Sequence, residues 1–196
     1  MKLTLTLIRN GLTELDKGGV FIGLEDEPVT EEEKQKIRTN AKAGVYPPVQ
    51  LVYTSALSRC LSTSGFIYPH VPAIVLNELA PFNYGSFTGK SYDQVAGEKD
   101  FQDWAATPYL TAMPGGEDPN QFQVRSSLAL RNVATEMQEK EIERAAIITH
   151  KRVIQSILQR FCIPRFYYGS WDIEGGGGYS LEYDTVALTA RIRYKF

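Results

Sequence analysis

The stretch Leu3-Thr4-Leu5-Thr6-Leu7-Ile8-Arg9-Asn10-Gly11 decides how this chain is read. Leu3, Leu5 and Leu7 alternate with Thr4 and Thr6, and Ile8 adds one apolar residue at the end. A period of two with β-branched content predicts a strand over Lys2 to Ile8 that enters a core. The run stops at a cation, an amide and a glycine. In an open α/β sheet ligands sit beyond the carboxyl ends of the strands, which puts Arg9 and Asn10 at the edge of a site.

Three later predicted strands also end on polar groups. Val49 to Tyr53 leads into Thr54-Ser55 and then a helix with Ala56, Leu57, Cys60, Leu61 and Ile67 on its apolar side. Arg59 falls in the first turn of that helix, where backbone N–H groups and the dipole already favour an anion. Ala73 to Leu76 ends at Asn77-Glu78. The apolar run Ala145 to Ile148 reads as a buried central strand, ends at Thr149-His150, and is followed by a helix over Val153 to Phe161.

Between these lie the connecting elements. Thr13 to Gly23 reads as a loop. Thr30 and Glu33 form a capping box that opens a mostly polar surface helix to about Ala43. The acidic residues Glu25 to Glu33 are expected to be a solvated helix start rather than a metal cluster. Residues 80–118, rich in Pro, Gly and aromatics, read as a rim or lid insertion with short helices at Tyr92 to Ala96 and Lys99 to Ala105. Its rings Phe82, Tyr84, Phe87, Trp104 and Tyr109 either shape a leaving-group pocket or pad the lid. Pro119 to Lys140 is the longest predicted helix. Gly175 to Gly178 lacks the Lys-Ser/Thr of a phosphate loop and is expected to turn into two last strands, Tyr179 to Tyr183 and Val186 to Arg193. The order predicts a three-layer α/β/α fold with a mostly parallel central sheet, as a single domain over 1–196.

Bulk composition narrows the function. At 196 residues, 43% hydrophobic and 22% charged, the chain has the make-up of one soluble globular domain. A net charge of -2 gives no general attraction to nucleic acid or to an anionic membrane. Neither a signal peptide h-region nor an apolar run long enough to span a bilayer is seen, so the cytoplasm is the expected compartment. Cys60 and Cys162 are expected to be reduced, and neither opens a Cys-x5-Arg phosphate loop. With His70 and His150 the only histidines, no metal site is expected.

The strand ends therefore gather Arg9, Asn10, Ser55 with Arg59, Glu78 and His150 on one rim. Arginine forks match phosphate oxygens bidentately, and an imidazolium at His150 would add a further cation. A carboxylic acid beside them would protonate a leaving alkoxide. The residues point to a phosphate-ester site.

Over nearly its whole length the chain also resembles the histidine phosphatase superfamily, the phosphoglycerate mutase-like group. Leu7-Ile8-Arg9-Asn10-Gly11 is similar to the Leu-x-Arg-His-Gly signature, and Ser55 to Thr63 resembles the Ser-x-Leu-x-Arg-x-x-x-Thr helix. Gly115-Gly116-Glu117 and Thr149-His150 match two further landmarks. Gly23 to Thr30 and Gly85 to Tyr92 are most like small phosphatases of the α-ribazole phosphate type.

The resemblance implies phosphate binding by Arg9 and Arg59, stabilisation of the transferring group by His150, Glu78 as acid, and no cofactor. It also places Asn10 at the position of the phospho-accepting histidine. An amide nitrogen has its lone pair delocalised into the carbonyl and cannot accept a phosphoryl group as imidazole does, though it can donate a hydrogen bond to phosphate. Leu12, Asp16 and Lys151 stand where the family commonly has glutamate, asparagine and glycine. Glu78 lies seven residues before Gly85, where about four is usual in relatives.

The expected function is binding of a small phosphorylated metabolite or inorganic phosphate, with little or no phosphomonoester hydrolysis. Two alternatives stay open: an active phosphatase of the α-ribazole phosphate or sugar phosphate type carrying an engineered His-to-Asn change, and a non-catalytic scaffold with a vestigial pocket.

Overall fold

The computed structural model describes residues 1–107, 111–165 and 170–196. Six strands, β1 (Lys2–Arg9), β2 (Leu51–Thr54), β3 (Ala73–Val75), β4 (Arg144–Thr149), β5 (Gly178–Asp184) and β6 (Thr189–Lys195), form one sheet in the order β3-β2-β4-β1-β5-β6. The first four in that order run parallel, and β5 and β6 add an antiparallel edge. The helices are α1 (Glu14–Lys17), α2 (Glu31–Lys42), α3 (Ser58–Ile67), α4 (Tyr92–Val95), α5 (Lys99–Ala106), α6 (Pro119–Glu139) and α7 (Lys151–Phe161).

The alternation in β1 sorts its side chains between two cores, because successive residues of a strand point to opposite faces. Leu3, Leu5 and Leu7 join Tyr53, Ala145 and Ile147 against Leu130, Val133 and Met137 of α6 and Ile154 and Ile157 of α7. On the other face Ile8, Val52, Ala146 and Ile148 pack with Ile37 of α2 and with Cys60 and Ile67 of α3. These are the three layers. Each such Leu or Ile, fully buried, contributes about 1.5–3 kcal/mol relative to exposure.

The glycine run before β5 is explained by close approach rather than by a ligand. A Cβ on Gly178 would lie 1.9 Å from the Leu7 carbonyl oxygen, so only glycine lets β5 reach β1 there. Gly176 and Gly177 pair their backbones with Arg9, which fixes the end of β1.

Two local readings change. The Thr13 to Gly23 loop contains the single turn α1, opened by a capping box in which Thr13 and Asp16 exchange hydrogen bonds. At α2, the Thr30 hydroxyl accepts from the Glu33 N–H at 3.2 Å, but the Glu33 carboxylate turns to the Leu12 N–H at 3.3 Å and to Lys36. Glu33 is thus buried between α2 and the loop after β1, not solvated, and the expected box is half closed.

Within residues 80–118, Phe87, Val95, Phe101 and Met113 build a third, smaller cluster with Phe21, Tyr84 and Trp104 against it. Trp104 lies 5.5 Å from Phe101 and packs against that cluster, so its rings pad this segment. Tyr109 lies outside the described residues. Among the described residues no helix is long and apolar enough to cross a membrane, and both cysteines are free and buried.

Candidate active site

Parallel pairing brings the ends of β2, β4 and β1 side by side. The Ser55 N–H donates to the Ile148 carbonyl at 3.1 Å, and the Asn10 N–H to that of Thr149 at 2.9 Å. Ser55, His150 and Asn10 therefore stand on adjacent strand ends, at the crevice where α/β sheets bind ligands. A cavity of about 240 Å³ opens there, lined by Arg9, Asn10, Asp16, Arg59 and His150 among others. Pro81, Phe82 and Tyr84 form one wall, and Lys151 and Arg152 rise from the start of α7.

Both predicted guanidiniums reach the cavity, each held by protein oxygens. Arg9 donates Nη1 to the Ile173 carbonyl at 2.9 Å and Nη2 to Asp16 Oδ1 at 2.7 Å. Arg59 donates to the Gly23 carbonyl at 3.0 Å and to that of Glu25, which folds the loop after α1 around it. Burial lowers the Arg59 pKa from its ordinary value, opposed by Cys60, Asp26, Asp16 and Glu27. Asn10 is 4% exposed and donates Nδ2 to the Gly11 carbonyl at 2.8 Å.

His150 is the N-cap residue of α7 without capping it through its side chain. Its Nε2 lies 3.0 Å from the Ser55 hydroxyl and 3.6 Å from the Cys60 sulfur. Burial first, then Arg59, Arg125 and Arg9, hold its pKa well below the ordinary histidine value of 6.5. Both causes favour the neutral ring over the imidazolium, because the charged form is desolvated and repelled. Burial also pushes the Cys60 thiol up to about 12, so it is a protonated neighbour and not a nucleophile.

Glu78 is not brought to this cavity. It sits on the short turn Asn77–Leu79, whose Leu79 is buried, and its own side chain is exposed beside Asn120, Val124 and Arg125 of α6. The physical reason is a clamp on its backbone. Arg125 donates Nη1 to the carbonyls of Glu78 at 2.7 Å and Ala80 at 2.9 Å, and Nη2 to that of Pro81 at 3.3 Å. Glu117 orients this guanidinium with two hydrogen bonds of 2.9 Å each. From the other side the Thr149 hydroxyl donates to the Leu79 carbonyl at 2.7 Å. With Leu79 turned inward, Glu78 is left pointing out.

The model of the histidine phosphatase superfamily (branch 1) matches residues 5–185. The chain belongs to this superfamily. A 2,3-bisphosphoglycerate-dependent phosphoglycerate mutase of Bartonella quintana is 33% identical over 129 residues, 60% of this chain and 61% of the relative's length. The chain thus matches less than two thirds of that curated relative. Among solved structures, the α-ribazole phosphatase of Shigella flexneri superposes with a TM-score of 0.83 at 19% identity, covering 98% of this chain and 96% of the other. A phosphoglycerate mutase of Bacillus anthracis gives a TM-score of 0.79 at 16% identity, covering 98% and 92%. At these identities the structures establish the shared fold.

The superfamily landmarks acquire physical roles here. Thr63 accepts the Gly11 N–H at 2.9 Å and donates to the Arg59 carbonyl at 2.7 Å, tying the Arg9-Asn10-Gly11 corner to α3. Ser55 holds His150, and Glu117 holds Arg125. Arg125 was missed in the sequence, since a mid-helix arginine carries no local signal for a clamp on carbonyls more than 40 residues away. Four residues before Gly85, the usual spacing of the acid, stands Pro81, and it lines the cavity. Among the described residues no group of three or more His, Cys, Asp or Glu could hold a metal ion.

Proposed function

We propose that this protein binds a small phosphorylated metabolite, or inorganic phosphate, without forming a phosphoenzyme. The observation that carries the reading is Asn10, a buried carboxamide at the end of β1 that lines the cavity with Arg9, Arg59 and His150. Arginine forks bind phosphate oxygens bidentately, and the first N–H groups of α7, uncapped by a side chain, favour the same anion. The Asn10 amide is a further donor, but its nitrogen lone pair is delocalised into the carbonyl and does not attack phosphorus as imidazole does.

The proton donor fails in parallel. Pro81 has no proton to give, and the Glu78 side chain stands outside the cavity. Two separate losses, of nucleophile and of acid, favour a binding protein over a phosphatase disabled at a single position. The arginines argue against a vestigial scaffold, because Asp16 offsets only the Arg9 charge, while Arg59 is buried on backbone carbonyls and enters no ion pair among the described residues.

The test compares the parent with Asn10→His on an aryl phosphate, whose leaving group departs without protonation, alongside calorimetry with inorganic phosphate. The expected result is phosphate binding by both and turnover by the variant at least ~100-fold above the parent. Turnover of an alkyl phosphate should stay low even in Asn10→His, for want of the acid. Rapid hydrolysis by the parent, or no phosphate binding at high millimolar concentration, would overturn the proposal.

A further inference from the structure

We infer that a groove at the C-terminal end of α7, away from the His150 end, docks an acidic and partly apolar peptide segment of another protein. The inference does not rest on the phosphate reading, and none of the groove residues lines the strand-end cavity. One wall is α6, through Val124, Leu128 and Arg131. The end of α7 and the residues after it give Arg160, Ile163 and Arg165, and the turn between β5 and β6 adds Leu188. The groove encloses about 570 Å³, within the range of pockets that bury a ligand.

Its apolar surface is unused by the fold. Val124 and Leu128, four residues apart, share one side of α6, while Leu130, Val133 and Met137 on its other side are already in the core. Val124, Leu128, Ile163 and Leu188 are between 41% and 57% exposed and join none of the three apolar clusters. Single exposed apolar residues are ordinary, but four gathered on one groove mark an interaction surface. Leu188 adds an independent sign. Its φ of 53° is in the left-handed region, where a bulky side chain is costly and glycine or asparagine is the usual residue. Asp184 fixes this turn by accepting from the Val186 and Ala187 N–H groups at 2.9 and 3.0 Å. A leucine held there, outside every core, serves the groove.

Charge decides what the groove takes. Arg131, Arg160 and Arg165 are all exposed on it, and no carboxylate lines it among the described residues. None of the three guanidiniums enters an ion pair or a hydrogen bond among the described residues. They stand on three separate elements, so a chain with several carboxylates matches them better than a single anionic head group, and arginine forks suit carboxylates. Aliphatic side chains of the same segment would cover Val124, Leu128, Ile163 and Leu188. A nucleic acid would bring the charge without the aliphatic surface.

The test selects a phage-displayed library of random peptides, about 12 residues long, on the immobilised full chain, and measures the recovered peptides by fluorescence anisotropy. Peptides with Asp and Glu set among Leu, Ile or Phe should be enriched. Their affinity should fall about tenfold in R131Q/R160Q/R165Q and about fivefold in Leu128→Ser, and weaken as salt is raised from about 50 to about 500 mM. All four positions are exposed, so both variants should melt at the parent temperature, and Leu128→Ser alone decides if the triple variant does not.

Recovery of no peptide above background, enrichment of basic or uncharged peptides, or binding equal in the parent and the variants would overturn the inference. A dimer of the parent in sedimentation velocity that Leu128→Ser dissolves would put a second copy in the groove and overturn the assignment to another protein.

Discussion

Asp16 is ion-paired to Arg9 inside the cavity: its Oδ1 lies 2.7 Å from Arg9 Nη2, with the two side chains 14% and 15% exposed. The carboxylate faces the same cavity as the guanidinium, so a bound anion has to share Arg9 with it and be repelled by it. Asp16 also accepts from the Thr13 N–H at 2.8 Å, which fixes it in place.

Asp16→Asn should therefore raise phosphate affinity by roughly five- to tenfold, the effect of removing one like charge from a partly screened site. The asparagine keeps one oxygen to accept from Thr13, so the turn survives, while the acceptor for Arg9 is lost. Calorimetry with inorganic phosphate checks this, and an unchanged or weakened affinity would mean that Asp16 serves mainly to hold Arg9 in place.

The neutral state of His150 has a consequence for stability. Its native pKa is held well below 6.5, whereas in the unfolded chain it sits near 6.5. Below that value the unfolded state binds a proton that the native state refuses. The contribution of the neutral ring is thus complete above about pH 6.5 and lost as pH falls toward the native value, with a slope of at most ~1.4 kcal/mol per pH unit. In phosphate-free buffer the parent Tm should fall more steeply from pH 7 to 5 than that of His150→Gln. Parallel curves would contradict the assignment.

The Arg125 clamp makes a different prediction. Arg125→Leu strips donors from three carbonyls and leaves the Glu117 carboxylate, 17% exposed, without its partner. A loss of about 3 kcal/mol in denaturant unfolding is expected, the range for breaking a partly buried charged network. Glu117→Gln keeps one acceptor for the guanidinium and should cost about half as much. Because Pro81 and Phe82 adjoin the clamp, ligand affinity should fall along with stability in Arg125→Leu.

How much of this was legible in the sequence follows from the range of the interactions. The alternation of Leu3, Leu5 and Leu7 is a local signal, and the strand was read from it, whereas the second core that Ile8 enters on the other face is seen only in the assembled layers. Arg9, Asn10, Arg59 and His150 could be placed because strand ends are readable and the fold brings strand ends together. Glu78 also lies near a strand end, yet its direction is set by the burial of Leu79 and by a guanidinium from α6, neither of which leaves a trace in nearby residues. The forces on the His150 ring are hidden from the sequence for a related reason. Its surroundings come from α3, α6 and β1, and burial is a property of the assembled layers. Asp16 stood out as a departure from the family pattern, while its bond to Arg9 became visible only once the loop after β1 folded back.

The pairing of β1 also governs when the protein can take shape. Its neighbours in the sheet are β4 and β5, which begin at Arg144 and Gly178. During synthesis from the N-terminus, the first strand leaves the ribosome long before either neighbour exists. Its leucines must wait, unpaired, while some 140 residues follow, the kind of non-local closure that slows folding and exposes apolar strands. The cavity inherits this delay: Asn10 and His150 come together only after β4 pairs beside β1, so the cavity is among the last features the nascent chain acquires.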